Sequence, residues 1–236
     1  MTQRVYQSET FKHRTRLAPY CEGYGIDIGF GGDPITPNVI RVDLEVPYAN
    51  AGEKGVQLGG DCQNLYWFAD GVLDFVYSSH VLEDFDVNQT IPVMKEWTRI
   101  LKVGGRLILL QPDQQRYLAY CQKNGQPPNS HHAIDHFSLH YLIEAANKMG
   151  TLELLASEDN IDEYSFFVVF VKKMEAQNDV VSAQDQAEVR RLRLELARVE
   201  SQLQKSQHNL ERYRNHPVIR LLKKPHLFFK KFSDRN

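Results

Sequence analysis

The chain has 236 residues, of which 42% are hydrophobic and 25% charged, and its formal net charge is −2. This composition supplies enough apolar material for a core and argues against a general binder of polyanions. Three widely spaced cysteines, Cys21, Cys62 and Cys121, favour a reducing compartment over a disulfide framework. The first residues lack the apolar region of a signal peptide and no apolar run is long enough to cross a bilayer, so we expect neither secretion nor a spanning helix.

Charge is distributed unevenly along the chain. Residues 1–175 contain 15 Lys or Arg and 23 Asp or Glu, whereas residues 176–236 contain 13 and 7. An acidic part with a net charge of −8 thus precedes a basic part with +6, and such asymmetry indicates separate roles. We predict a globular domain over residues 1–175, a coiled coil over residues 180–215 and a basic amphipathic tail over residues 216–236.

Short apolar runs and periodic apolar positions predict the elements of the acidic part. Strands are predicted, in chain order, at residues 25–28, 39–44, 55–58, 73–78, 106–111, 152–156 and 164–171. Helices are predicted at residues 90–101 and 138–149, and a long connection at residues 112–137. Strands that alternate with helices favour an α/β fold with a mainly parallel sheet and helices on both faces.

A glycine-rich turn follows the first predicted strand. Residues 25–33 read GIDIGFGGD, and glycines there allow a positive φ and a close approach of the backbone to a ligand. Asp43 ends the second strand, where a carboxylate can accept both hydroxyls of a ribose. Asp61 follows the third strand, where an acid can accept the exocyclic amine of adenine. We therefore expect a ligand at this edge of the sheet, although a purely structural turn would also contain the glycines.

Five segments, in this order, resemble class I S-adenosylmethionine-dependent methyltransferases. They are GIDIGFGG, the acid Asp43, GDCQNL, LDFVYSSHVLED and LKVGGRLILLQPD, and the resemblance covers roughly residues 23–173. It is closest to the branch that acts on small molecules or glycans and carries an SHVLEH-like motif. The resemblance implies a Rossmann-like fold and S-adenosylmethionine as cofactor, so that residues 1–175 would form the methyltransferase domain.

The resemblance also implies which residues bind the cofactor. They are Asp27, Gly29, Gly31, Asp43, Asp61, Cys62 and Ser79. The first three would form the turn under the methionine part, and the acid after the second strand would hold the ribose. Asp61 and the backbone of Cys62 would frame the adenine, and Ser79 would border the methionine moiety.

The turn departs from the family pattern at several positions. Asp33 stands where a third glycine is usual, and Asp84 replaces the last residue of the SHVLEH-like motif. Pro34 and Pro37 lie in the short gap between the first two strands, where the first helix of the fold normally lies. Because proline interrupts a helix, we predict that a turn or a loop replaces this helix.

Two histidines, His80 and His136, are candidate catalytic residues. Methyl transfer to a hydroxyl requires removal of its proton, and an imidazole suits that task near neutral pH. His80 follows the fourth strand, beside the expected methionine part, and His136 begins the segment expected to close over it. Residues 131–136 read HHAIDH without a standard zinc spacing, so we predict no metal site. Methyl transfer to a carbon or nitrogen acceptor can proceed without a base, so capping or loop roles for these histidines stay open.

A heptad pattern marks the basic part of the chain. Seam positions alternate at spacings of three and four from Val189 to Tyr213, with one polar position at Ser206, and residues 180–215 contain no Gly or Pro. The pattern predicts a long helix whose narrow seam is buried against a partner. Self-association into a homo-oligomer is the simplest arrangement, and packing on the acidic part or on the coiled coil of another protein are the alternatives.

The last segment combines apolar bulk with cations. Residues 217–232 include VIRLLKKPHLFFKKF, in which three Phe and five Lys or Arg stand close together. This mixture suits peripheral contact with an anionic membrane, so we expect a cytoplasmic protein that can lie at the inner face of the membrane. Docking on another protein is the alternative, and nucleic acid is not an expected partner because the larger part of the chain is acidic.

Two functions from different classes follow from these patterns. The first is a methyltransferase that acts on a glycan, a lipid-linked saccharide or another small molecule. The second is a coiled-coil scaffold whose methyltransferase-like head binds the cofactor weakly or not at all. Asp33 and the shortened first helix favour the scaffold slightly, whereas the retained acids and glycines favour the enzyme more.

Overall fold

The structure, a computed structural model, describes residues 8–45, 47, 54–174 and 183–215. These residues belong to two compact units, one that precedes residue 180 and one that follows it. None of the helices in the described ranges combines the length and the apolar character that crossing a bilayer requires.

The first unit contains a seven-stranded sheet. Its strands, in chain order, are β1 (Gly25–Ile28), β2 (Ile40–Asp43), β3 (Leu58–Gly59), β4 (Leu73–Ser79), β5 (Leu101–Pro112), β6 (Leu152–Glu158) and β7 (Ser165–Lys172). They lie in the order β3-β2-β1-β4-β5-β7-β6. Strands β1 to β5 are parallel, and β7 is antiparallel to both β5 and β6. The prediction of a mainly parallel sheet is therefore confirmed.

Among the described residues, four α-helices belong to the first unit and one to the second. They are α1 (Glu9–Leu17), α2 (Thr90–Arg99), α3 (Gln114–Asn124), α4 (Leu139–Met149) and α5 (Ala183–Asn215). The predicted caps of α4 are confirmed, since the Ser138 side chain accepts a hydrogen bond from Tyr141 N and Gly150 ends the helix at φ +73°.

Helices cover both faces of the sheet. Successive residues of a strand point to opposite faces, so one strand can contribute side chains to a core on each side. Leu107 and Leu109 of β5 belong to a buried cluster with Trp97 of α2 and with α4. Ile108 and Leu110 belong to a second cluster, which includes Leu17 at the end of α1. The continuous apolar run of β5 thus contributes to two cores, as expected for a strand that is covered on both sides.

The structure corrects several predicted boundaries. β5 begins before residue 106, because Leu101 already pairs with Leu73 and a register shift separates that pair from the rest of the ladder. β3 has two residues and lies C-terminal to most of the predicted strand at residues 55–58. The predicted connection at residues 112–137 contains α3, which buries only Gln114 and Cys121 and so shows no apolar stripe in the sequence. By contrast, the predicted loss of the first helix is confirmed, since residues 29–39 contain none.

Candidate active site

The carboxyl ends of the central parallel strands meet at one edge of the sheet. Ile28, the last residue of β1, pairs with Val42 of β2 on one side and with Ser78 of β4 on the other. Asp43 pairs in turn with Gly59 at the end of β3. The loops that leave these four strands therefore converge, as the order of the motifs predicts.

A cavity of about 730 Å³ lies at this edge. Six of the seven residues that the resemblance implies as cofactor-binding line it: Gly29, Gly31, Asp43, Asp61, Cys62 and Ser79. His80 also lines it. The size is within the usual range for a small-molecule site.

Two glycines of the turn, Gly29 and Gly31, differ in the space around them. Gly29 has φ +73°, and a Cβ there would lie 2.0 Å from Val81 Cγ2, so no other residue fits without displacement. A Cβ on Gly31 would meet no atom within 4 Å, which leaves open space on the cavity side of the turn. The N–H groups of Gly29 and Phe30 donate to Val42 O at 3.0 and 3.2 Å, and these bonds hold the turn against β2.

Asp27 lies beneath the turn and is not part of the cavity lining. Its side chain is buried and accepts a hydrogen bond from Ile35 N at 3.0 Å, across the loop that replaces the first helix. Burial raises the pKa of Asp27 to about 8, and the hydrogen bond from Ile35 partly opposes this shift. Asp27 therefore organises the turn from below, and a direct contact with a ligand in the cavity stays a prediction.

Asp43 and Asp61 reach the cavity from neighbouring strand ends. Asp43 Oδ1 accepts a hydrogen bond from Leu44 N at 2.7 Å, and partial burial raises the pKa of its carboxyl. Asp61 Oδ1 accepts from Gln63 N at 2.9 Å, which fixes the carboxylate at the start of its loop. Both residues have the chemistry that ribose hydroxyls and an adenine amine require, so the cavity fits a nucleoside.

The loop after β3 is tied to helix α2. The carbonyl of Cys62 accepts a hydrogen bond from Trp97 Nε1 at 2.9 Å, and Trp97 itself is fully buried. Burial raises the pKa of the Cys62 thiol, so this cysteine is uncharged and unreactive at neutral pH. Cys62 thus shapes the wall of the cavity by a fixed backbone rather than by a reactive sulfur.

His80 has an unusual backbone conformation. Its φ of +54° is the only positive value among the described residues other than glycine, and its N–H donates to Leu110 O at 2.9 Å. Strained conformations of this kind persist where the surrounding structure holds them, and they are frequent at functional sites. Burial lowers the pKa of His80 to about 4, and Nε2 has no hydrogen-bond partner among the described residues. An uncharged imidazole with a lone pair is therefore present at neutral pH.

Helix α1 contributes cavity residues that the sequence patterns did not identify. Ser8, Glu9 and Thr10 all line the cavity. Ser8 caps the helix by accepting from Phe11 N, and its hydroxyl donates to Asp33 Oδ2 at 2.8 Å. The one sequence signal for the start of this helix was a serine at the N-cap followed by an acid at the first helical position. The helix lacks a clear apolar stripe that would have predicted it otherwise.

The structure does not bring His136 to this cavity. His136 is exposed and lines a separate groove of about 470 Å³ with residues of α4 such as Tyr141. His132 from the same segment turns inward instead, and its Nδ1 lies 2.7 Å from Gln114 Oε1. His136 thus lies apart from the cavity that His80 lines, and its catalytic role stays a prediction.

Comparison with known proteins agrees with this architecture. Residues 26–109 match the protein family described as Methyltransferase domain. This segment runs from β1 into β5 and includes the glycine turn and all the strand ends of the cavity. A comparison with the curated proteins finds no match.

Solved structures share the fold at low sequence identity. A protein of Pyrococcus horikoshii OT3 is 16% identical with a TM-score of 0.54, over 72% of this chain and 94% of its own. A methyltransferase of Thermotoga maritima, described as a possible histamine N-methyltransferase, is 24% identical with a TM-score of 0.50, over 65% and 83%. The N-methyltransferase NodS of Bradyrhizobium japonicum WM9, in complex with S-adenosylhomocysteine, is 14% identical with a TM-score of 0.50, over 73% and 92%.

The sheet order and the glycine turn agree with the methyltransferase domain that residues 26–109 match. The chain is an S-adenosylmethionine-dependent methyltransferase, and S-adenosylmethionine is its cofactor.

Proposed function

We propose that the chain transfers the methyl group to a hydroxyl of a glycan, of a lipid-linked saccharide or of another small molecule, with His80 as general base. The observation that carries the base assignment is the position of His80 on the wall of the cavity that also contains Gly29, Asp43 and Ser79. Burial lowers the pKa of His80 to about 4, so its imidazole is unprotonated at neutral pH and can accept a proton, as a weaker base than an ordinary histidine. The saccharide assignment rests on the SHVLEH-like motif and on the basic tail.

The resemblance to class I methyltransferases implies the roles of the other cavity residues. The glycine turn would hold the methionine part of the cofactor, Asp43 the ribose, and Asp61 with the Cys62 backbone the adenine. When bound, S-adenosylmethionine supplies a methyl group on a sulfonium that is already activated for displacement, so positioning and exclusion of water do much of the work. His80 would accept the hydroxyl proton at Nε2 and hold it until the product leaves.

Transfer of a labelled methyl group tests this proposal. The whole chain is incubated with S-adenosylmethionine carrying a labelled methyl, and with lipid-linked or free saccharides that have unmodified hydroxyls. We expect His80→Gln to lower turnover by about a hundredfold while cofactor affinity stays within a factor of about two. His140→Gln changes an exposed histidine of α4 and serves as the matched control. Full activity of His80→Gln would contradict the base assignment.

Cofactor binding separates the enzyme from the alternative scaffold. A scaffold with a degenerate head would bind S-adenosylmethionine weakly or not at all, although the cavity and its acids are retained. Equilibrium binding to the whole chain by calorimetry gives the answer without an acceptor. Micromolar affinity supports the enzyme, and absence of binding supports the scaffold.

The basic part of the chain would localise the activity. We propose that α5 brings copies of the chain together and that the tail at residues 216–236, which lies outside the described residues, contacts an anionic membrane surface. Several tails on one oligomer would contact the same membrane surface. Once one tail is bound, the others are held at a high effective concentration, so weak contacts together give stronger binding. Co-sedimentation with anionic and neutral vesicles at low and high salt tests the tail. Retention in solution with both vesicles would identify it as a protein-docking segment.

A further inference from the structure

We propose that Glu9 recognises the acceptor, and that the acceptor presents an uncharged hydroxyl or a protonated amine, not an anionic group, beside the reacting atom. This inference rests on the proposed function, since it assigns the same cavity to an acceptor. Glu9 lies in α1 and belongs to none of the methyltransferase motifs. Its proposed role is to bind the acceptor beside the reacting atom.

Glu9 combines a cavity position with an unused hydrogen-bond acceptor. It lines the same cavity as Gly29, Asp43 and His80. Its Oε2 is buried and has no hydrogen-bond partner among the described residues. Because a carboxylate oxygen removed from water without a partner destabilises the fold, a ligand that donates to it is the simplest reason for its position.

Two groups contact the other oxygen of Glu9. The Tyr164 hydroxyl donates to Oε1 at 3.2 Å, and Lys12 Nζ lies 2.6 Å from the same atom. Tyr164 also packs its ring edge-on to His80, with centroids 6.1 Å apart. The carboxylate is therefore oriented before any ligand binds, and the residue that orients it also contacts the proposed base.

The charges of the cavity select against anions. Four acids line it, Glu9, Asp43, Asp61 and Asp84, and its described lining includes no Lys or Arg. Asp43 and Asp61 are accounted for by the nucleoside of the cofactor. A phosphate or carboxylate next to the reacting atom would be repelled by Glu9, whereas a hydroxyl or an ammonium would donate to Oε2.

A metal ion is a poorer occupant of this position. Glu9, His13 and Asp162 place one potential ligand atom each within 4.8 Å of one another. However, His13 Nε2 already pairs with Asp162 Oδ2 at 2.8 Å, and the ammonium of Lys12 lies against Glu9. Two of the three potential ligands are thus bound to each other, and the third already has a cationic neighbour.

Binding of two cofactor analogues tests the role of Glu9 without knowledge of the acceptor. S-adenosylhomocysteine lacks the transferred methyl, and sinefungin carries an amine at the corresponding position. Calorimetry in the presence of EDTA gives the dissociation constants of both for the whole chain and its variants. We expect the unmodified protein to prefer sinefungin and Glu9→Gln to reduce this preference by about tenfold, with S-adenosylhomocysteine affinity unchanged.

Two control variants define the result. Glu153→Gln changes an exposed glutamate of β6 and leaves both constants unchanged, whereas Asp61→Asn weakens both analogues to the same extent. Unchanged affinity of Glu9→Gln for S-adenosylhomocysteine also reports an intact fold.

The outcomes separate this proposal from the assignment of the cofactor. An equal loss of both analogues in Glu9→Gln would place Glu9 at the amino-acid part of the cofactor and overturn the proposal. An unchanged preference would overturn it as well, while leaving the methyltransferase intact. If the unmodified protein bound neither analogue, the cofactor site and the proposal would both be wrong.

Discussion

Glu83 Oε1 lies 3.6 Å from His80 Nδ1, and the side chain of Glu83 is buried whereas that of His80 is partly exposed. The same oxygen lies 3.8 Å from Nε2 of His132, so that one buried carboxyl stands between two imidazoles. Burial raises the pKa of Glu83 well above its usual range, while it lowers the pKa of His80. Both groups are therefore uncharged at neutral pH, and a proton gained by His80 would be stabilised if Glu83 ionised by passing its own proton to His132, whose Nε2 faces the same oxygen.

This pairing predicts that Glu83 acts on catalysis through His80. We expect Glu83→Gln to lower turnover by about tenfold, because an amide cannot ionise to stabilise the imidazolium. Cofactor affinity should stay unchanged. The measurement is a double-mutant cycle with His80→Gln. If Glu83→Gln slowed the His80→Gln protein by the same factor as the unmodified protein, the two residues would act independently and the pairing would have no catalytic role.

The low pKa of His80 predicts the pH dependence of the reaction. The base form of a group with a pKa of about 4 is present at every pH above that value, and is lost only as the pH falls through it. We therefore expect kcat/KM to show no loss from His80 between pH 8 and pH 6. A rate profile measured from pH 5 to pH 9 tests this. A fall centred near the ordinary histidine value of about 6.5 would contradict it.

Asp43 is predicted to hold the ribose of the cofactor. Asp43→Ala removes an acceptor for two hydroxyls, and we expect S-adenosylmethionine binding to weaken by on the order of 1–3 kcal/mol. The carboxylate of Asp33, outside this cavity, provides a comparison, since Asp33→Ala breaks the contact with Ser8 but removes no predicted ribose acceptor. Calorimetry with both variants decides the assignment, and an Asp43→Ala protein of unchanged affinity would end it.

Asp27 is predicted to make the fold less stable as the pH rises. Its pKa is raised from 3.8 to about 8, so the folded state retains a proton that the unfolded state loses, and stability falls between pH 4 and pH 8. Asp27→Asn keeps an acceptor for Ile35 N without this dependence. We expect the variant to be more stable by on the order of 5 kcal/mol at pH 8 and equal near pH 4. Urea unfolding at both values measures the difference, and equal stability at pH 8 would contradict the raised pKa.

The sequence predicted which strand ends line the cavity, because strand ends are local features. Asp43, Asp61 and Ser79 each follow a short apolar run, and parallel strands bring such ends to one edge. Their common position therefore required only the correct order of the strands, which the motifs supplied.

The contribution of helix α1 to the cavity could not be predicted in the same way. Helix α1 buries Thr10, His13 and Leu17, so two of its three buried residues are polar and no apolar periodicity marks the helix. Its contact with Tyr164 spans most of the domain in sequence. Likewise, His132 and His136 lie in one short segment, and only the three-dimensional packing determines which of them turns toward Glu83.

The second unit is predicted to associate through the seam of α5. Leu196, Leu203 and Leu210 are 54%, 56% and 61% exposed in the single chain, and they repeat at intervals of seven on a helix of 33 residues. Such a seam is stable in water when another helix covers it, and the heptad spacing favours a second copy. We expect the unmodified protein to be a dimer or a trimer, and the triple change of these leucines to Ser to dissociate it.

A matched variant makes this test specific. Changing Arg191, Arg198 and Lys205 to Ser alters three positions at the same spacing on a different face of α5, and should leave the oligomer intact. Light scattering and sedimentation velocity give the mass of each protein. Cofactor affinity should be the same in all three, because the cavity lies wholly within the first unit. A monomeric unmodified protein would rule out self-association and leave the seam to a different partner.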